Sequence, residues 1–586
     1  MSTDLAEGIS RVYQQQTDPL VLALTGRTGS GCTTAAQTLA KAFAEMQLSE
    51  EDFPQPERRK ISIAFEFARK KWSPFTPITV SSAIFSFLLD EPRKDVEAFL
   101  LDRGVSASGK DEVLKCLQVL RTSASFFAFE RVAKGNATAQ DRVAAWDFFE
   151  RELTPLALQV RRVLAAEYPA LFQALGDNIR FSGRPLEKQV RPEKLFTLMD
   201  RVRGLIDSAV AYRTYQLKAP GRVVIDAIRN PLELVYLRKH LPNIFVIAIT
   251  ADDEERRSRL LESGLNKKDV DRIDDKEYCA KKHLDDYSSF VSQNLRDCIQ
   301  MADVFVANPG SPSQVASSIR FLNAQLVRYV ALSLRPGLIT PTRDERCMQI
   351  AFVAKLNSGC ISRQVGAVVA DSGHSVHSLG WNDTPKGQTA CSLRDVGALL
   401  GGTDGESFSD YEKTDPKLRG HLEKKFRSRE RLRQSEGLRC PFCFKDAYNT
   451  IDGKKNQVHT RSLHAEENAF LQLTKRGSVG IAGGALFTTA SPCELCSKKA
   501  YQLGIREIVY VDPYPGISAG HVLGSGNARP ILRLFSGSVG AAYHRLYDPL
   551  MSIKDEYSSR LASEDHNDAD TTSPGNDSRT QDMWNS

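Results

Sequence analysis

The chain has 586 residues, too many for one hydrophobic core, so we expect two or three domains. Its 78 Lys and Arg residues against 72 Asp and Glu leave a net charge of only +6, which argues against general nucleic-acid binding. No window approaches about 18 consecutive apolar residues, and the N-terminus lacks the layout of a secretory signal. The sequence therefore predicts a cytoplasmic protein with no membrane segment.

The first motif follows a short apolar run. "LVLAL" at 20–24 predicts a buried strand, and the glycine-rich loop and helix after it are typical of a nucleotide-binding P-loop. Backbone N–H groups of such a loop bind phosphate, and the Thr33 hydroxyl can bind Mg²⁺. The candidate nucleotide-binding residues are Gly26, Arg27, Thr28, Gly29, Ser30, Gly31, Cys32 and Thr33.

Cys32 stands where the P-loop pattern has a lysine that reaches the transferred phosphate. A loop without that lysine can still bind phosphates, but it stabilises the charge on the transferred phosphate only poorly. We therefore expect a regulatory module that binds a nucleotide and transfers no phosphate. The alternative is a degenerate loop kept only for packing.

Residues 1–325 predict a P-loop NTPase-like, doubly wound parallel sheet with a helical insertion at about 90–215. "RVVIDA", "NIFVIAIT" and "DVFVAN" predict its further buried strands. This part resembles deoxynucleoside monophosphate kinases, whose D-x-x-R-x-x-x-E arrangement after a core strand matches Asp226, Arg229 and Glu233. The resemblance also implies phosphate-clamping lid arginines, although such a cluster is more often a solvated helical face; these are Arg256, Arg257 and Arg259.

A linker is expected at 326–344, where prolines and a glycine interrupt the helical pattern, and a second domain at 345–553. "VGAVVAD" and "HSVHSLGW" predict a β-hairpin at its start. Residues 412–439 carry ten Lys or Arg and five Asp or Glu, which indicates a solvated helical face or, alternatively, a polyanion-binding surface. The polar, acidic stretch 554–586 predicts a disordered tail.

The strongest chemical signal is H-x-E…P-C-x-x-C, the zinc-deaminase signature. His464, Cys493 and Cys496 supply three zinc ligands and leave the fourth tetrahedral position open for water, as a catalytic site requires. Glu466, two residues after the histidine, is placed to move protons between water, the ring nitrogen and departing ammonia. A closed structural zinc would need another ligand and would leave Glu466 without a role.

The segment at about 341–525 resembles the cytidine and deoxycytidylate deaminase family, closest to its deoxycytidylate branch. "NSGCISRQVGAVV", "SLGWNDTPKG", "HAEENA", "SPCELC" and "LGIREIVYVDPY" follow the family's blocks in order. The resemblance implies a three-layer α/β/α cytidine-deaminase fold, the zinc ligands and proton shuttle named above, and three substrate-binding positions: Asn382, Ala465 and Tyr514.

A second, structural zinc is also implied by this resemblance. Seven of the 11 cysteines lie between Cys347 and Cys496, which in a reducing compartment favours metal ligation over disulfides. Either His421 or His459 could take one place, and buried free thiols are the other alternative. The four candidate ligands are Cys360, Cys391, Cys440 and Cys443.

A kinase-like module fused to a deoxycytidylate-type deaminase resembles the layout of bacterial anti-phage dCTP deaminases. That resemblance implies conversion of dCTP and dCMP to their uracil forms during infection, a homo-oligomer, and in some systems an inhibitory small RNA. Three rivals stay open: a housekeeping dCMP deaminase that supplies dUMP for thymidylate synthesis, a polynucleotide cytidine deaminase, and a non-catalytic nucleotide-binding regulator.

Overall fold

Two separate β-sheets organise the chain in the computed structural model. It describes residues 2–278, 287–309, 315–454, 456–475, 477, 480–513 and 517–558. The predicted tail lies outside this part of the chain from residue 559 onward. No helix in the described ranges combines the length and the hydropathy needed to cross a membrane.

The first sheet has six strands, five of them parallel. Strand β1 is central, paired with β3 on one side and β4 on the other, and all six of its residues are buried. The order β2-β3-β1-β4-β5-β11 confirms the parallel sheet predicted from the apolar runs, with β11 antiparallel at the edge. The strands are β1 (Leu20–Thr25), β2 (Thr76–Thr79), β3 (Arg222–Asp226), β4 (Ile244–Thr250), β5 (Val304–Ala307) and β11 (Gly537–Ser538).

The second sheet has five strands in the order β10-β9-β8-β6-β7. The predicted hairpin is present as the antiparallel pair β6 and β7. Strand β6 is also antiparallel to β8, whereas β8, β9 and β10 run parallel. The strands are β6 (Gly366–Ala370), β7 (Val376–Trp381), β8 (Ala485–Ala490), β9 (Glu507–Asp512) and β10 (Ile531–Leu534).

Seventeen described helices precede residue 335, and the segment between β2 and β3 is helical as predicted. They are α1 (Ser2–Thr17), α2 (Cys32–Leu39), α3 (Glu57–Lys71), α4 (Val80–Ser86), α5 (Arg93–Asp102), α6 (Ala107–Arg121), α7 (Phe126–Ala133), α8 (Ala139–Asp147), α9 (Thr154–Leu164), α10 (Tyr168–Ser182), α11 (Thr197–Tyr215), α12 (Pro231–His240), α13 (Asp253–Glu262), α14 (Lys267–Tyr278), α15 (Tyr287–Val291), α16 (Leu295–Gln300) and α17 (Val315–Leu334).

Helices on both faces of the second sheet give it three layers. Alternate strand residues point to opposite layers. Val368 joins the cluster that contains Met348 of the helix Arg343–Ala354, whereas Val369 joins the cluster that contains Ala469 of the helix Ala465–Lys475. The helices after residue 335 are α18 (Arg343–Ala354), α19 (Val396–Gly401), α20 (Asp410–Thr414), α21 (Pro416–Glu436), α22 (Phe444–Asp452), α23 (Ala465–Lys475), α24 (Glu494–Gln502) and α25 (Ala541–Tyr547).

The end of the chain returns to the first sheet. Strand β11 pairs with β5, and Ala542 and Leu546 of α25 lie in the apolar cluster around β1. The sequence analysis assigns these residues to the second domain at 345–553, whereas in the structure they pack on the first sheet. The core is continuous across the junction, where Phe305 of β5 packs against Phe535.

One buried carboxylate connects four elements at this junction. Glu345 of α18 is fully buried and accepts hydrogen bonds from Arg328 and Tyr329 of α17, at 2.7 and 2.9 Å. It also accepts bonds from the Ser538 N–H of β11 and the Tyr547 hydroxyl of α25, at 3.0 and 2.6 Å. Although burial raises the pKa of Glu345, Arg328 and these donors lower it overall, so the carboxylate stays charged.

We expect Glu345→Ala to destabilise the fold by about 3–5 kcal/mol, because it leaves the Arg328 guanidinium buried without its counter-charge. Urea unfolding of the full chain measures this effect. Glu66→Ala on the exposed side of α3 is the matched control and should stay within about 0.5 kcal/mol of the parent. A loss of less than about 1 kcal/mol at Glu345 would contradict its role as a junction residue.

Candidate active site

Two helix starts converge beside the second sheet. His464 immediately precedes α23, and Cys493 is the N-cap residue of α24, with Cys496 in its first turn. Helix α23 lies close on β7 because Gly380 has no side chain: a Cβ there would be 2.4 Å from the Ala465 carbonyl oxygen. The positive ends of both helix dipoles therefore point at the same place, which favours thiolates there.

The three predicted ligand atoms lie together. The His464 Nδ1 atom is 3.2 Å from the Cys493 Sγ atom and 3.5 Å from the Cys496 Sγ atom. Nitrogen and sulfur ligands of one tetrahedral zinc ion are about 3.6 Å apart, so the cluster fits zinc. The pKa of Cys493 is lowered to about 3, mainly by a hydrogen bond from the Cys496 thiol and to a smaller extent by one from His464. A thiolate ligand is thus available at neutral pH.

Glu466 is 4% exposed and lines the same cavity as His464 and Cys493. Burial raises the pKa of its carboxyl above the ordinary value. A carboxyl whose pKa is moved toward neutrality can both accept and release a proton during turnover. The cavity measures about 160 Å³.

The substrate-binding predictions have three different outcomes. Ala465 is buried and lines the cavity. Asn382 also lines it, but its amide donates to the Arg363 carbonyl at 2.6 Å and accepts from the Val365 N–H at 2.7 Å, so the side chain holds the loop that forms one wall. Tyr514 lies outside the described residues. Contact of Asn382 and Ala465 with substrate stays a prediction.

The four cysteines of the predicted second zinc site do not form one cluster. Cys360, Cys391 and Cys443 line the catalytic cavity, whereas Cys440 is buried in an apolar cluster. Among the described residues, one set of three His, Cys, Asp or Glu side chains has its ligand atoms within 4.8 Å of one another. That set is His464, Cys493 and Cys496. Neither His421 nor His459 completes a second one, so a second zinc stays a prediction.

Three cationic side chains at the cavity were missed by the sequence analysis: Arg363, Lys445 and Arg461. Arg461 donates to the Thr389 carbonyl at 3.2 Å, and the structure gives it no carboxylate partner among the described residues. The signal was available, because Arg461 stands three positions before the first ligand and Lys445 two positions after Cys443. Their folding onto the same cavity as the ligands could not be read from spacing.

The glycine-rich loop is formed as predicted between β1 and α2. Gly31 is the N-cap residue of α2 with a φ of 106°, and the Thr33 hydroxyl donates to the Asp226 carboxylate at 2.9 Å. Cys32 is buried, and this burial raises the pKa of its thiol to about 12, so the position of the usual lysine holds a neutral group. Mg²⁺ binding at Thr33 stays a prediction.

The kinase-like residues have separate roles in the structure. Arg229 and Arg256 reach the loop, Arg229 through the Thr28 hydroxyl at 3.2 Å and Arg256 through the Thr28 carbonyl at 3.1 Å. Glu233 instead forms a buried ion pair with Arg180 at 2.7 Å. Arg259 donates to the Asn308 carbonyl at 3.0 Å, and Arg257 pairs with Asp274 at 2.6 Å. None of these contacts tests nucleotide binding itself.

Comparison with known proteins gives one matching family model and several relatives. Residues 341–512 match the model of the cytidine and deoxycytidylate deaminase zinc-binding region. A deoxycytidylate deaminase of Schizosaccharomyces pombe is 26% identical over 324 residues, covering 55% of this chain and 79% of the yeast enzyme. The dCMP deaminase of cyanophage S-TIM5 in apo form covers 34% of this chain and 100% of its own, with 22% identity and a TM-score of 0.20.

A further relative is the deoxycytidylate deaminase of Enterobacteria phage T4. It is 30% identical over 174 residues, which are 28% of this chain and 76% of the phage enzyme. The residues matched by the family model, 341–512, include His464, Glu466, Cys493 and Cys496. On the match to the family model and the similarity to the phage T4 enzyme, the chain belongs to the cytidine and deoxycytidylate deaminase family.

Proposed function

We propose that the chain hydrolyses the 4-amino group of deoxycytidine nucleotides, converting dCMP and dCTP to dUMP and dUTP. The observation that carries this proposal is the buried Glu466 carboxylate in one cavity with a zinc-type cluster of His464, Cys493 and Cys496. The deoxycytidylate deaminases of fission yeast and phage T4, as relatives, support this substrate class. A purely regulatory role would leave the complete catalytic set without a use.

The reaction adds water to C4 of the cytosine ring and releases ammonia. Zinc, when bound to the three ligands, supplies Lewis acidity that lowers the pKa of water at the open position. Glu466 accepts a proton from the attacking water and delivers it to the ring nitrogen. It then takes the remaining proton from the C4 hydroxyl and transfers it to the amino group, which leaves as ammonia while the C4–O double bond forms.

One arginine at the cavity supports a phosphorylated substrate. Lys445 donates to the Gln457 side-chain amide oxygen at 3.3 Å and lies 3.4 Å from the Asp446 carboxylate. Arg461 binds only main-chain carbonyl and thiol groups among its described partners. A guanidinium with no carboxylate partner is suited to a phosphate group. We infer that Arg461 binds the substrate phosphate, which favours nucleotides over deoxycytidine.

We expect Arg461→Met to raise KM for dCMP by about tenfold or more, since one charge-assisted hydrogen bond contributes about 1.5–3 kcal/mol. KM for deoxycytidine, which has no phosphate, should not change. Steady-state ammonia release with both substrates measures the difference. Arg506→Met, at an exposed position outside the cavity, is the control. An equal loss on both substrates would show that Arg461 only supports the fold.

We further propose that the first 325 residues regulate the deaminase by binding a nucleotide, and that depletion of dCTP protects cells against phage. The resemblance to anti-phage dCTP deaminases and the thiol at the lysine position support this proposal. An inhibitory RNA and a homo-oligomer, both implied by the same resemblance, stay predictions. A housekeeping dCMP deaminase is the alternative, and it would be constitutively active without regard to infection.

Gly31 lies at a point of the loop where a side chain has no room. From the sequence alone, a bulky residue at Gly31 is expected to block the phosphates and abolish regulation in cells while deamination in vitro is retained. In the structure, a Cβ at Gly31 would lie 2.4 Å from the Asn308 Nδ2 atom, at a φ that disfavours side chains. Such a variant would also distort the loop.

A further inference from the structure

The glycine-rich loop at 26–31 already binds an oxyanion, and this oxyanion is a carboxylate side chain of the protein itself. The Glu277 carboxylate accepts a hydrogen bond from the Thr28 backbone N–H at 3.0 Å and another from the Thr28 hydroxyl. It also accepts from the Arg229 guanidinium at 2.8 Å. Its side chain is 1% exposed, so water cannot replace these donors.

A second carboxylate follows the same pattern one helical turn away on α14. Asp274 pairs with Arg27 at 3.0 Å, with Arg256 at 2.6 Å and with Arg257 at 2.6 Å. Although partial burial raises the pKa of Asp274, these arginines lower it overall, so the group is an anion at neutral pH. Residues three apart share one helix face, so α14 presents both carboxylates to the loop.

The donors that hold these two carboxylates are the kinds that bind phosphate in nucleotide sites. A loop backbone N–H before a helix and guanidinium groups with parallel N–H bonds both select oxyanions. Thr28 and Arg27 come from the loop, and Arg229 and Arg256 from the elements beside it. A phosphate group cannot use these donors while the carboxylates occupy them.

We propose that helix α14 and the polyphosphate of a nucleotide bind this loop in a mutually exclusive way. Two phosphate groups take the places of the Glu277 and Asp274 carboxylates, and α14 leaves the loop when they bind. The inference rests on the nucleotide-binding role given to the loop under the proposed function. It goes beyond that role by naming the carboxylates that occupy the loop in the nucleotide-free protein, and by naming α14 as the helix that moves when a nucleotide binds.

Little apolar burial opposes the release of α14 from the loop. Five of its ten described side chains are exposed, among them Asp271, Arg272 and Asp275, and Val270 is the one buried apolar residue among the ten. A helix with so little apolar burial is held mainly by its ion pairs with the loop. Phosphate binding removes those ion pairs and supplies the loop arginines with a stronger anion.

The test uses the full chain and inorganic tripolyphosphate as the probe, titrated by calorimetry at fixed ionic strength. We expect Glu277→Gln, which removes the competing charge at nearly constant shape, to bind tripolyphosphate about tenfold more tightly than the parent. Asp275→Asn, on the exposed side of the same helix, is the matched control and should bind like the parent. Equal affinities of the Gln and Asn variants would overturn the proposal.

Hydrogen exchange of the parent protein provides a readout without any substitution. Tripolyphosphate should speed exchange of the amides of α14 while slowing exchange in the loop at 26–31. Binding that leaves α14 protected would overturn the exclusion. Failure of all three proteins to bind would overturn both the exclusion and the nucleotide role of the loop. Deamination of dCMP, measured in the same preparations, tests the catalytic assignment separately.

Discussion

We expect the Glu466→Gln variant to lose about 10²- to 10⁴-fold of its deamination rate while keeping its zinc, because the lost group moves protons and is not a ligand. The glutamine fills the same buried space beside His464 but can neither accept nor release the proton. Steady-state ammonia release with dCMP measures the rate, and elemental analysis of the same sample measures the metal.

The neighbouring Glu467 provides the matched control. Its carboxylate pairs with Lys499 of α24 and is partly exposed, so Glu467→Gln removes the same charge one residue away from the cavity side of α23. This control should retain most of the parent rate. Full activity of Glu466→Gln would contradict the proton-transfer role. Loss of zinc together with activity would instead make Glu466 a structural support for the ligands.

The second large effect is expected from Cys493→Ala. Removing one of three ligands should abolish zinc binding at the catalytic site and reduce deamination below detection. The two ligands that remain, His464 and Cys496, are too few to hold the ion in an open site. Elemental analysis and ammonia release, measured in parallel, test this. Retained zinc with retained activity would contradict the ligand assignment.

The same measurement decides on the second zinc. The sequence predicts about two zinc ions per chain, of which one should remain in Cys493→Ala. Cys347→Ala is the control, because Cys347 is buried in an apolar cluster and should not affect the metal count. One zinc per fully active parent chain would rule out the structural site at Cys360, Cys391, Cys440 and Cys443.

Local patterns made the strands and the ligand motif predictable. Short apolar runs such as "LVLAL" and "NIFVIAIT" are confirmed as central strands, because burial on both faces of a parallel sheet requires continuous apolar residues. The ligand cluster was predictable because His464 precedes one helix and Cys493 caps another, so few residues fix its geometry.

Contacts between distant parts of the chain could not be predicted in the same way. The strand Gly537–Ser538 has two residues and no apolar signal of its own, and only its pairing with β5 assigns it to the first sheet. The place of the glycine-rich loop between a strand and a helix was predictable, but Glu277, which occupies the loop, lies 249 residues away from Thr28. An acidic residue in a charged helix gives no local sign that it will be buried against such a loop.

Hydrolysis of a free deoxycytidine nucleotide is the central claim, and isotope transfer tests it most directly. The purified, zinc-loaded chain is incubated with dCMP and, separately, with dCTP in water enriched in heavy oxygen, and the products are analysed by mass. We predict uracil nucleotides that carry one heavy oxygen on the base, with one ammonia released per product. Unchanged substrates in both incubations, from protein that contains zinc and is folded, would contradict the account.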